Sequence, residues 1–216
     1  MGAGSLGLTV QALQARLQAI YRVEAPAVER FLVGREVAAA AGHAPRAEEE
    51  LLVLEEPEGL WLGLYLAEAV GEGAARGELG PIAQAAEGVS HFVYLSTRAA
   101  CGRPVSLLEL EVQAEVDKFA LLLLPLPGRR GDRRRRSRAL RRRLYERVRY
   151  LEHLAADELD RYREANRLGA GYARWLEGRY VEEADVEGLL RELRQSYRLG
   201  AGEKYGYLSA RGWSAH

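Results

Sequence analysis

The densest chemistry in this sequence is basic: Arg129, Arg130, Arg133, Arg134, Arg135, Arg136, Arg138, Arg141, Arg142 and Arg143 fall within one short segment. Guanidinium groups keep their charge at any physiological pH and present forked donors to phosphate oxygens. A run of them displaces counterions from a nucleic-acid backbone without reading its bases. Arg133, Arg134, Arg135, Arg136, Arg141 and Arg142 are therefore the expected contacts to nucleic acid or another polyanion. The competing expectation is a solvated loop and helix start that pairs loosely with acidic residues of the first half. Positive charge at a helix N-terminus opposes the macrodipole, so the run does not serve to stabilise its own helix.

Carboxylates and histidines recur at a spacing of four, which places two side chains on one helix face. The pairs are Glu87 with His91, Glu111 with Glu115, and His153 with Asp157. Glu111, Glu115 and His91 are the candidates for a catalytic carboxylate/His site, and His153 with Asp157 for a metal. The last pair shares its face with Glu146, Asp160 and Glu164, which reads as solvated. There is no Glu-x-x-His pair of the di-iron bundles, no His-Glu-x-x-His and no Gly-x-Ser-x-Gly, and the single Cys101 excludes a cysteine-rich zinc site. These patterns call for no cofactor. Gly200-Ala201-Gly202-Glu203-Lys204 lacks the Gly-Lys-Ser/Thr ending of a phosphate loop and reads as a helix end. Tyr197, Arg198, Lys204, Tyr205, Tyr207, Arg211 and Trp213 mix aromatic with basic groups, either to stack on single-stranded bases or to pack the tail on the body.

The chain has 216 residues, 48% hydrophobic, enough for a real core. Its 31 basic and 31 acidic residues balance, but unevenly: residues 1–128 carry 17 acids and 9 bases, 129–149 carry 2 and 12, and 150–216 carry 12 and 10. Arginine, alanine, leucine and glycine are favoured over lysine, asparagine and isoleucine, as in a GC-rich bacterial genome. One cysteine, no long apolar stretch and no signal-like start point to the cytoplasm and not to a membrane.

These groups must be held by the elements that the periodicity predicts. Thr9 is expected to cap a helix through Val10, Leu13, Leu17, Ile20 and Tyr21, and Pro26 to open a second through Ala39. Leu51–Leu54 and Leu60–Leu66 flank Glu56-Pro57-Glu58-Gly59 and predict a β-hairpin. After a Gly-rich stretch from Gly71 to Gly80, Pro81 is expected to start a helix that Gly102 and Pro104 end, with strand as the alternative over 89–96. Ser106 to Glu109 forms a capping box for a helix through Leu123, although 108–116 also alternates like a strand. Gly128 to Arg136 has nothing apolar to bury and reads as a mobile linker, with Ser137 as the next cap. From Leu140 the stripe through Leu144, Val148, Leu151, Leu159, Tyr162, Asn166, Ala173 and Leu176 predicts one long helix or two nearly collinear ones. Asp185 is expected to cap a final helix closed by Gly200.

The expected fold is α+β and mainly α-helical, a small hairpin packed on helices and long amphipathic helices toward the C-terminus. Its parts are 1–127, a basic linker at 128–137 and a helical part at 138–216. The expected function is non-catalytic binding or scaffolding of a protein or nucleic-acid partner through the helical half and the arginine segment. A protein partner or a second copy would engage helices 138–177. The alternative is a metal-dependent or hydrolytic enzyme.

Overall fold

The computed structural model describes residues 2–40, 45, 47–56, 59–124, 130–151 and 154–213. The fold is α+β and mainly helical, with a small sheet packed on helices. The chain divides into two units, residues 1–19 with 23–103 and residues 20–22 with 104–216. The break follows Gly102, whose φ of +62° suits a residue without a Cβ.

In the first unit, α1 (Gly2–Tyr21) begins seven residues before the expected cap at Thr9. Gln14 is buried and uses its amide on the segment that Pro26 bends away: Nε2 donates to the Pro26 carbonyl at 2.7 Å, and Oε1 accepts from the Val28 N–H at 2.9 Å. The helix expected from Pro26 to Ala39 does not form. A 3-10 turn (Val28–Phe31), β1 (Leu32–Val33) and α2 (Arg35–Ala40) take its place. The cause is tertiary: Leu32 and Val33 pair in parallel with Leu64 and Tyr65, and a place on a sheet edge outweighs a modest helical pattern.

The predicted hairpin is present as β2 (Glu49–Glu56) and β3 (Gly59–Leu66), antiparallel with Leu54 opposite Trp61, and the sheet order is β1-β3-β2. Pro57 and Glu58 of its expected turn lie outside the described residues. The Gly-rich stretch is partly helical, as α3 (Glu68–Ala75). A Cβ on Gly73 would stand 2.4 Å from Pro81 Cγ, so the bare glycine is what lets α3 lie against the next helix. That helix, α4 (Leu79–Ala100), includes 89–96 and so settles the helix-or-strand alternative there; Val89, Phe92 and Val93 are buried, and Gly88 sits against Leu64 of the sheet.

The second unit is built round α5 (Leu107–Leu123), capped by Ser106, whose Oγ accepts from the Glu109 N–H at 3.1 Å. Nearly every turn of α5 is buried, because α6, α7 and α9 all pack on it. Helix α6 (Arg130–Tyr145) occupies most of the expected linker. Ser137 is not its cap but a buried residue in its middle. Helix α7 (Ala156–Leu176) runs on into a π turn (Glu177–Val181). The long stripe is thus two helices, and they are antiparallel rather than collinear: Asn166 Nδ2 donates to the Tyr145 carbonyl at 3.3 Å, while Ser137 meets Glu177. Spacing by threes and fours carries no record of a reversal in direction, and Val148 and Leu151, read as stripe residues, are exposed in the connection. Helices α8 (Val186–Arg198) and α9 (Ala201–Trp213) complete the unit, with Asp185 Oδ1 accepting from the Gly188 N–H at 2.7 Å as the predicted cap. Among the described residues no helix is long and apolar enough to cross a membrane.

Candidate polyanion interface

Helix α6 sorts its arginines by face. Ser137 and Leu140 point into the unit, and Arg141 lies at the edge of that buried face. Glu177 is buried where the π turn brings its carboxylate under α6. Ser137 Oγ donates to Oε1 at 2.6 Å and Arg141 Nε to Oε2 at 2.7 Å, and Arg141 also reaches Glu146 at 3.2 Å. The Arg141–Glu177 side chains are only 12% and 8% exposed, so this pair fixes α6 to the end of α7.

Further along the solvent side, Arg134 and Arg138 share Glu182 at 2.8 and 3.3 Å, and Arg135 reaches Asp132 at 3.2 Å. These pairs are about half exposed or more on the arginine side and contribute little to stability. Their carboxylates come from the second unit itself, not from the acidic first half. Asp132 in the first turn also offsets the adverse macrodipole.

Of the expected contacts, Arg134, Arg135, Arg136 and Arg142 are exposed, Arg133 is half-buried and Arg141 is committed to Glu177. Four exposed arginines continue the surface at the end of α6 and into the connection: Arg142, Arg143, Arg147 and Arg149. Among the described residues none of these four pairs with a carboxylate. Arg147 and Arg149 were missed because they flank Val148, which read as part of the apolar stripe.

Beside this surface lies an open pocket of about 410 Å³ lined by α6, α7 and α9. Arg141, Arg167, Arg174 and Glu146 are among its lining residues. Trp213 stands at its edge, 74% exposed.

The carboxylate and histidine candidates fall in both units. In the first, Glu87 and His91 share α4, their ligand-type atoms within 4.8 Å of one another, and His91 Nδ1 lies 3.5 Å from Glu49 Oε1 on β2. Glu49 was not foreseen; it reaches α4 because Gly88 leaves room, a Cβ there falling 2.8 Å from Glu49 Cγ. In the second unit, Glu111 is buried on α5, and Glu115 one turn later pairs with Lys118 at 3.0 Å. Gly169 of α7 closes over Glu115, where a Cβ would be 2.7 Å from Glu115 Cβ. Asp157 is exposed in the first turn of α7, and His153 lies outside the described residues.

Two buried polar clusters in the second unit had no sequence motif. In one, Tyr21 donates to Asp117 Oδ1, Gln113 Nε2 donates to the same oxygen at 2.8 Å, and Lys204 Nζ donates to Gln113 Oε1 at 2.7 Å. Tyr197 stacks on Tyr21 with centroids 4.0 Å apart. In the other, Glu192 accepts from Tyr172 at 3.0 Å and lies 2.8 Å from Arg211 Nε, and Arg211 lies over the Tyr207 ring at 3.3 Å. Burial pushes the Tyr21 and Tyr172 phenols well above their ordinary range, with Asp117 and Glu192 adding to it. Tyr197 and Lys204, expected as possible base-stacking residues, are thus interior and hold α8 and α9 in place. The one nearly free aromatic of that set is Trp213.

No family model, curated protein or solved structure matches the chain.

Proposed function

We propose that the chain is a non-catalytic binding protein whose second unit engages the phosphate backbone of a nucleic acid. The observation that carries this reading is the row of four exposed arginines, Arg142, Arg143, Arg147 and Arg149, with no carboxylate partner among the described residues. An arginine already paired gains little from a phosphate, since one anion replaces another. An unpaired, solvated one releases the counterions condensed on the nucleic acid when it docks. Arg134, Arg135 and Arg138 form the flank of the same surface, already paired with the half-buried Glu182 and the exposed Asp132. Nothing in this arrangement reads base edges, so the expected binding is tolerant of sequence.

The test is fluorescence anisotropy of labelled single- and double-stranded oligonucleotides at low salt. Changing Arg142, Arg143, Arg147 and Arg149 together to Gln is expected to weaken binding at least about tenfold. Changing Arg134 and Arg135 to Gln should matter much less. Equal affinity of the quadruple variant and the wild type contradicts the reading.

A further inference from the structure

The pocket beside the basic surface has the composition of a nucleotide site. On α7, Arg167, Ala170, Gly171 and Arg174 stand at i, i+3, i+4 and i+7, one stripe facing the pocket. Two guanidinium-bearing residues therefore stand about 10 Å apart along the helix, with only a methyl group and a hydrogen between them. Across from them α9 presents Ser209 and Gly212. The two helices approach closely there, a Cβ on Gly171 lying 3.2 Å from Gly212 Cα. The two glycines let α7 and α9 cross in contact, and Arg167 and Arg174 line the open pocket beside that crossing.

The charged groups are not equivalent. Arg141 is tied to Glu177 and Glu146, and Arg167 makes a two-pronged contact with Glu164 at 2.6 and 2.7 Å. Arg174 is exposed and pairs with no carboxylate among the described residues. Trp213 offers an indole face at the edge of the pocket, and among the described residues no ring or cation packs on it. An unpaired fork for an oxyanion and an open aromatic face on one cavity select a ligand with both a phosphate and a planar ring. The volume, about 410 Å³, lies in the range of small-ligand sites.

We infer that this pocket binds one nucleotide, its phosphate on Arg174 and its base against Trp213. This extends the reading of the basic surface as a phosphate-backbone contact: the pocket would hold a single nucleotide of a strand that runs along α6. The site and the surface use different residues, so each stands or falls by its own variants.

The experiment is a calorimetric titration of the full chain with adenosine monophosphate, adenosine and inorganic phosphate, with circular dichroism to check that each variant is folded. The wild type is expected to bind the monophosphate at least tenfold more tightly than either adenosine or phosphate alone. Arg174→Gln should reduce monophosphate affinity to that of adenosine, and Trp213→Ala should weaken both the monophosphate and adenosine. The quadruple variant of the surface arginines should bind the monophosphate within twofold of wild type while losing oligonucleotide binding. No heat of binding with the monophosphate, or unchanged affinity in folded Arg174→Gln, overturns the pocket and leaves the surface reading intact. A wild type that binds the monophosphate but no oligonucleotide would do the reverse.

Discussion

Asp117 accepts from both Tyr21 and Gln113 in an interior that water does not reach. A buried donor left without its acceptor costs the full desolvation of that group; truncation here strands the Tyr21 hydroxyl and leaves Gln113 Nε2 only its longer bond to Tyr21 Oη at 3.3 Å. Asp117→Ala is expected to lose about 3 kcal/mol in a urea titration; a loss under about 1 kcal/mol contradicts the assignment. The buried tyrosines, Tyr21 of this cluster among them, set an alkaline limit. In the unfolded chain tyrosines ionise near about pH 10, whereas burial holds Tyr21, Tyr145 and Tyr172 protonated well beyond it. Below pH 10 both states keep these protons and this contribution is constant. Above it the unfolded chain releases protons that the folded one retains, and stability falls by up to about 1.4 kcal/mol per pH unit for each tyrosine. Tyr21→Phe should make that decline shallower, and an unchanged slope would show that Tyr21 does not take part. Little of this was legible in the sequence, where Tyr21 read as one more apolar position and Lys204 as one of a mixed aromatic and basic set at the tail. One signal was present: the chain has 31 basic residues of which only Lys118 and Lys204 are lysine, and both lie in largely buried positions.

At the scale of elements, the glycines of α7 and α9 do different jobs. Gly206 lies inside α9 with nothing within 4 Å of a Cβ, whereas a Cβ on Gly171 meets the backbone of Gly212. Gly206→Ala is therefore expected to stabilise by about 0.5–1 kcal/mol through helix propensity. Gly171→Ala is expected to destabilise by about 1–3 kcal/mol, because a backbone contact cannot yield as a flexible side chain does. Thermal melts of the two variants should move in opposite directions, and a parallel shift would contradict the close crossing of α7 and α9. Caps and breakers were the readable part of these elements. Ser106, Asp185 and the Gly102–Pro104 stop behave as their chemistry dictates, as does the hairpin over 49–66. Pairing over long sequence distance was not readable, as with Leu32–Val33 joining β3 as a parallel edge. Nor was the reversal between α6 and α7, because both obey the same helical period.

For the whole molecule, 48% hydrophobic residues and mixed periodicities led to an α+β fold dominated by helices, and that architecture is present. The arginine segment was visible as a charge run, but its function depends on which side chains α6 turns inward. Arg141 is spent on Glu177, while Arg142 and Arg143 remain outside with Arg147 and Arg149. No count of charges separates these roles; the helix phase and the buried Glu177 do. The most direct measurement of the central claim is the affinity for a short DNA duplex as a function of salt. Four phosphate contacts predict a contribution near about −3.6 to the slope of log affinity against log salt, and the Arg142, Arg143, Arg147 and Arg149 to Gln variant should make the slope shallower by about that amount. Absence of binding even at low salt, or an equally steep slope in the variant, would contradict the assignment of this surface to a nucleic-acid backbone.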